Sequence, residues 1–228
     1  MAKVVYSPQV GDMRNKTGGA VHTKTRFGSM VRRKVSPTQP RTSAQLKVRA
    51  GFTALSKLWS DTTMSTYRAG WIGLADNYPV KDVFGQSQRL TGHQMFVRLN
   101  RALQTIGLGP ILPPPSSLGV GYPGALTFTK DGPPVTFLKV DCATWPLAGE
   151  GALLYATPGL SPGRSSAGAR FRLLVDFDHS TSEPFDFYSY YVAKFGTPIV
   201  GRTVFIRVVY VTKATGAQSL PAEKSLTI

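Results

Sequence analysis

Between Gly107 and Gly124 the chain reads GLGPILPPPSSLGVGYPG. Five prolines among that many glycines cannot hold a helix and resist a central strand. Pro113 to Pro115 predict a stiff, extended connector. The hydrophobic period changes across this run. Before it, apolar residues recur at helical spacing; after it, they alternate as in strands. The chain is therefore expected to hold a helical part and a β part, an α+β organisation.

On the N-terminal side, Ala44, Val48, Phe52, Leu55 and Trp59 fall on one helical face. Thr42 with Gln45 has capping-box spacing. Met64, Tyr67, Trp71 and Leu74 form a second stripe, for which Ser60 or Thr62 can serve as N-cap. Phe96, Leu99, Leu103 and Ile106 form a third, with Thr91 and Gln94 as a capping box and Gly107 at the C-terminal stop. Three short helices packed on their apolar faces account for 41–107. Phe52, Trp59 and Trp71 are expected in their core.

On the C-terminal side, ALTFTKD, PVTFLKVDCATW, GALLYATPG, ARFRLLVDF and RTVFIRVVYVTK are strand candidates separated by turn residues. Their short spacing predicts an antiparallel sandwich. EPFDFYSYYVAKFG fits a strand or a short helix. The expected domains are a basic arm or hairpin at 1–40, a small helical domain at 41–107, a Pro/Gly-rich linker at 108–123 and a β-sandwich at 124–228.

The first forty residues read as extended. Two runs flank Phe27-Gly28-Ser29, which suggests a hairpin with Gly28 at the turn. The competing reading is a basic arm that orders only on a partner. Pro37 and Pro40 keep the following strip extended.

Charge narrows the partner. The net charge is +15, and residues 1–109 hold 17 Lys and Arg against four acids. Such asymmetry points to a polyanion or to an acidic protein surface. Lys24, Arg26, Arg32, Arg33, Lys34, Arg41 and Lys47 are the candidate contact residues. Of these, Arg32, Arg33, Lys34 and Arg41 suit phosphates better than bases. No stretch is long and apolar enough to span a bilayer, and the N-terminus lacks the apolar segment of a secretion signal. Synthesis in the cytoplasm is the expectation.

Nothing marks a reaction. No nucleophile elbow, phosphate loop or dinucleotide fingerprint stands in a fitting context. GLGPILPPP has prolines where a phosphate loop needs a helix. His22, His93 and His179 are far apart in sequence and lack metal-ligand spacing. Asp176, Asp178 and His179 could form a weak cation site at a strand end, but a solvated cluster is the simpler reading. Cys142 is the only cysteine and reads as a small buried hydrophobe. No catalytic, cofactor or metal residue is assigned, and no cofactor is expected.

Two stretches resemble known families. TVFIRVVYVTKATGAQSLPAE, Thr203 to Glu223, resembles the last hairpin of a fibronectin type III domain: an alternating strand, a Gly-containing loop, a Ser and a Pro-marked final strand. The position where that family carries a buried tyrosine falls here on Val204 or Phe205. The resemblance implies a sandwich and no particular ligand. Residues 14–107 are similar to uncharacterised small basic proteins encoded by bacteriophages and metagenomic phage-like genomes. Pro40-Arg41-Thr42, Ala44-Gln45, Arg49, Phe52, Trp59, Arg68, Trp71 and Leu90 to Asn100 carry that similarity. It implies a virus context. The expectation is a non-enzymatic structural or assembly component of a virion or phage-like particle, capsid-associated or elsewhere. Its partners would be copies of itself, other particle proteins and DNA or RNA phosphates, without a membrane. The alternative is a sequence-independent nucleic-acid-binding protein.

Overall fold

The computed structural model describes residues 2–35, 41–82, 84–132 and 134–228. Pro37 and Pro40, expected to stiffen the strip before the first helix, lie outside them. The fold is mixed α+β, with several antiparallel sheets and four α-helices among the described residues. It divides into two compact units, residues 1–50 with 79–89, and residues 51–78 with 90–228. Each is described by itself.

The first unit is built on a four-stranded antiparallel sheet in the order β1-β4-β3-β2. Its strands are β1 (Ala2–Lys3), β2 (Asn15–Thr17), β3 (Ala20–Thr25) and β4 (Gly28–Arg33). The expected hairpin is β3–β4, paired from Ala20↔Arg33 to Thr25↔Gly28. Gly28 leaves the turn at φ +107°, a conformation that glycine reaches without strain. The unit also holds a short hairpin of β5 (Val80–Lys81) and β6 (Ser87–Gln88).

Helix α1 (Ser43–Ser60) runs from the first unit into the second. Thr42 accepts a long hydrogen bond from Gln45 N, at 3.4 Å. The second unit continues with α2 (Arg68–Asn77) and α3 (Gly92–Thr105). Asp61, not Ser60 or Thr62, caps the 3-10 turn Thr62–Met64 that precedes α2. The α3 capping box forms as the spacing predicted: Gln94 N donates to Thr91 Oγ1, and Thr91 N to Gln94 Oε1. At its other end Leu108 N donates to Leu103 O and Gly107 N to Gln104 O. Gly107 has φ +77° there, so the helix ends in a Schellman motif.

The helical core joins Leu55, Met64, Trp71, Leu74, Met95, Phe96 and Leu99. Trp71 meets Phe96 edge-on at 5.3 Å between ring centres. The first stripe departs from expectation. Leu55 is buried and Trp59 half-buried, but Val48 and Phe52 are 54% and 52% exposed. Every residue of α1 from Ser43 to Ala50 is exposed. Phe52 is thus not a core residue, because the apolar core shared with α2 and α3 takes only Leu55, Leu58 and Trp59 from α1.

The Pro/Gly-rich stretch carries no regular element, yet side chains fasten it. Trp71 Nε1 donates to Leu112 O at 2.8 Å. Buried Asn100 donates to Phe96 O and Ile111 O and accepts from Ile111 N. Glu150 accepts from Gly121 N, and Thr212 Oγ1 donates to Gly119 O. The compact units do not divide at 108–123; residues 90–228 stay in one body.

Seven strands follow. The sheet β11-β8-β7 comprises β7 (Leu126–Lys130), β8 (Leu138–Cys142) and β11 (Phe185–Asp186). The sheet β10-β9-β12-β13 comprises β9 (Glu150–Ala156), β10 (Arg172–Asp178), β12 (Thr203–Thr212) and β13 (Ala222–Thr227). The ambiguous aromatic segment is both things: β11, then helix α4 (Tyr188–Phe195). Leu126, Phe128, Leu138 and Val140 share one hydrophobic cluster with Leu154, Ile206, Val208 and Tyr210. Strand β9 is buried on both faces, since Leu153 on its other side packs with Val211, with Ala102 of α3 and with Ile106 just after that helix. That explains its nearly continuous apolar run.

Candidate interaction surface

Thirteen of the chain's Lys and Arg lie in the first unit, against two acids, Asp12 and Asp82. Both acids are engaged internally. Asp12 pairs with Lys24 at 3.1 Å and with Arg14 at 3.4 Å. The hydrogen bond from Lys24 holds the Asp12 carboxyl below its ordinary value.

Asp82 joins the β5–β6 hairpin to the four-stranded sheet. It takes the Lys3 ammonium from β1, Gln88 Nε2 at 3.0 Å, and the backbone N–H groups of Phe84 and Gln86 at 2.8 and 2.9 Å. The hydrogen bond from Lys3 is the main reason its carboxyl lies below the ordinary value. Gln88 Nε2 also reaches Phe27 O at 3.4 Å. The unit is held by polar contacts: none of its described residues is buried as a whole.

The cations singled out in the sequence are not gathered on one face. Successive side chains of a strand point to opposite sides of the sheet. Arg32 lies opposite Val21, which lies opposite Lys16, so those three form one row. Arg33, opposite Ala20, is on the other face with Lys24. Lys34 follows β4, its N–H donating to Gly19 O. Arg26 occupies the β3–β4 turn, its guanidinium 5.3 Å from the Phe27 ring centre. Arg41 precedes α1 and Lys47 lies on its exposed turns.

No family model, no curated protein and no solved structure matches the chain.

Residues that the sequence did not single out complete the surface. Lys3, Gln86, Ser87, Gln88 and Arg89 line a cleft of about 360 Å³ together with Arg26 and Phe27. Position in the chain hid them, because 79 residues separate Lys3 from Asp82. Along α1 the exposed Leu46, Val48 and Phe52 stand among Arg41, Lys47, Arg49 and Lys57, with no acid between 41 and 60.

Elsewhere the polar groups serve local structure. Asp178 accepts from Ser180 and, at 3.1 Å, from Lys213; these bonds lower its carboxyl to about 2. That carboxylate belongs to a turn and an ion pair. Burial pushes the Cys142 thiol up to about 11, against a reactive thiolate. His22 Nδ1 bonds Tyr6 OH at 2.9 Å. Among the described residues, no three of His, Cys, Asp and Glu converge to hold a metal ion. Among them, no helix is long and apolar enough to cross a membrane.

Proposed function

We propose that this chain is a non-enzymatic structural or assembly component of a phage or phage-like particle, and that its basic unit is the contact surface. One observation carries the assembly role. The first unit has an ordered sheet, a large positive charge and no buried residue among those described. A sheet of this size ordinarily gains its stability by covering an apolar face. Here the neighbouring helix also leaves Val48 and Phe52 half-exposed. Both features suit a module completed by another molecule. The virus context rests on the similarity of residues 14–107 to phage-encoded basic proteins.

The strand order supports a finer reading of the β part as a fibronectin type III-like sandwich. Counted from β7, one sheet holds the first, second and fifth strands, and the other the fourth, third, sixth and seventh. That is the arrangement expected of such a domain. Residues from both sheets meet in one core. A sandwich of this kind serves as a scaffold and assigns no ligand.

Mass spectrometry of purified particles from the genome that encodes the chain tests the particle role. Recovery at high copy number is the expected result, and absence from particles rejects it. A second reading, sequence-independent nucleic-acid binding, is favoured by the engagement of both acids of the first unit in internal ion pairs. Its net field is therefore positive on whichever side a polyanion approaches.

A further inference from the structure

The apolar stripe of α1 runs on past the point where its packing ends. Leu55, Leu58 and Trp59 join the helical core. Ala44, Val48 and Phe52 continue the row toward the N-terminus, four residues apart, and all three are exposed. They lie on one continuous helix, so their alignment is set by that helix alone. The row is about 12 Å long at the rise of an α-helix. Lys47 and Arg49 fall about 100° to either side of Val48 and so flank it. A cleft of about 490 Å³ opens beside Phe52, lined by Thr53, Ser56, Lys57, Ser60 and Asp61. The charge around the row has one sign. From residue 13 to residue 60 the chain holds eleven Lys and Arg and no acid.

We propose that this row docks an acidic amphipathic helix of another protein, with apolar side chains laid on Val48 and Phe52 and carboxylates at Lys47 and Arg49. The proposal rests on reading this part of the chain as a module completed by another molecule, and it names the partner's chemistry. Helices pack by fitting side chains of one into the grooves of the other, and charges beside the seam then meet across it. A second copy of α1 would bring cations to cations, which repulsion opposes. A nucleic-acid backbone answers the cations but presents phosphates, not apolar surface, to Val48 and Phe52. An anionic bilayer offers charge and apolar surface together. Interfacial helices, however, bind in proportion to the apolar area they bury, and two turns bury little. A helix can also place a side chain in the cleft beside Phe52, which a flat surface would only span.

The test uses the full chain and a fluorescently labelled synthetic peptide of about three heptads, with leucine at a and d and glutamate at e and g. Anisotropy should show binding, and the bound peptide should gain helix by circular dichroism. A peptide of the same composition, shuffled out of helical spacing, should bind at least about tenfold more weakly. Val48→Ala with Phe52→Ala should weaken the ordered peptide about tenfold. Alanine favours helix, so that loss is not a loss of α1. Ile199→Ala, at an exposed apolar residue elsewhere, should change nothing. Lys47→Glu with Arg49→Glu should weaken the glutamate peptide and strengthen a counterpart with lysine at e and g. Amides 43–50 should exchange more slowly when the peptide is bound. Equal binding of the ordered and shuffled peptides overturns the proposal. So does an unchanged affinity in the Val48–Phe52 double variant, or displacement by phosphatidylserine vesicles or oligothymidylate as effective as by unlabelled peptide. Recovery in particles is measured independently, so failure of this site leaves the particle role standing.

Discussion

Gly216, in the loop between β12 and β13, lies directly on the backbone of α3 at Leu99. A Cβ on Gly216 would stand 2.8 Å from the Leu99 carbonyl carbon and 3.2 Å from Leu103 Cγ. The residue also has φ +72°, which favours glycine. Gly216→Ala combines backbone strain with overpacking, each worth about 1–3 kcal/mol. We expect a loss of about 2–4 kcal/mol, read from the denaturant midpoint. An unchanged midpoint would mean that the loop does not rest on the helix.

Trp71 and Phe52 should behave oppositely although both belong to apolar stripes. Trp71 is 0% exposed and donates to Leu112 O. Its replacement by Ala should cost about 3–5 kcal/mol. Phe52, half in solvent, should cost about 1 kcal/mol or less when replaced by Ala in the isolated chain. Equal melting shifts for the two variants would contradict the packing described for α1.

Acidity acts on two carboxyls with opposite sign. Asp178 is lowered from 3.8 to about 2, so its contribution is complete above its ordinary value and is lost as pH falls through about 2. Asp178→Asn should flatten that acid limb. Glu183 is raised from 4.5, chiefly through its shared hydrogen bond with Asp141. Its contribution is fully present below the ordinary value and is lost as pH rises through the folded one. Glu183→Gln should therefore raise the melting temperature at neutral pH, and the gain should vanish in acid. A gain that persists in acid would place its origin outside the carboxyl pair.

Hydrogen exchange should divide α1. Residues 43–50 are exposed on every side, whereas Leu55 is anchored in the core. A helix segment without packing opens at little cost. Amides in the first turns should exchange far faster than those of α3. Equal protection would show that the free chain already covers this segment.

Much of the fold was legible in residue spacing. The α3 capping box, Gly107 at its stop and the alternating β12 follow from local rules, because the groups that satisfy them are a few residues apart. The extent of burial was not legible for α1. Val48 and Phe52 continue the same stripe as Leu55, and periodicity marks a face without saying how much of it is covered. The Pro/Gly-rich stretch was read from its composition, which speaks for an extended backbone. It is silent about Asn100 and Trp71, which hold that backbone from distant helices. The basic candidates were legible as charge alone. That Arg32 and Arg33 face opposite sides follows from strand register. That Lys3 and Arg89 line one cleft depends on the insertion of residues 79–89 into the first unit.

The Lys3–Asp82 ion pair gives the first unit a timetable. The two residues are 79 positions apart, and the hairpin that carries Asp82 is the last piece of the unit to be synthesised. At roughly 5–20 residues per second, the ribosome delivers Asp82 about 4–16 seconds after Lys3. During that interval β1 lacks the partner that neutralises its lysine. The segment 51–78 is synthesised in between, so closure of the basic sheet onto its hairpin follows synthesis of α1 and α2 instead of preceding it. The most cationic part of the nascent chain therefore waits in unfinished form until residues 79–89 have been made.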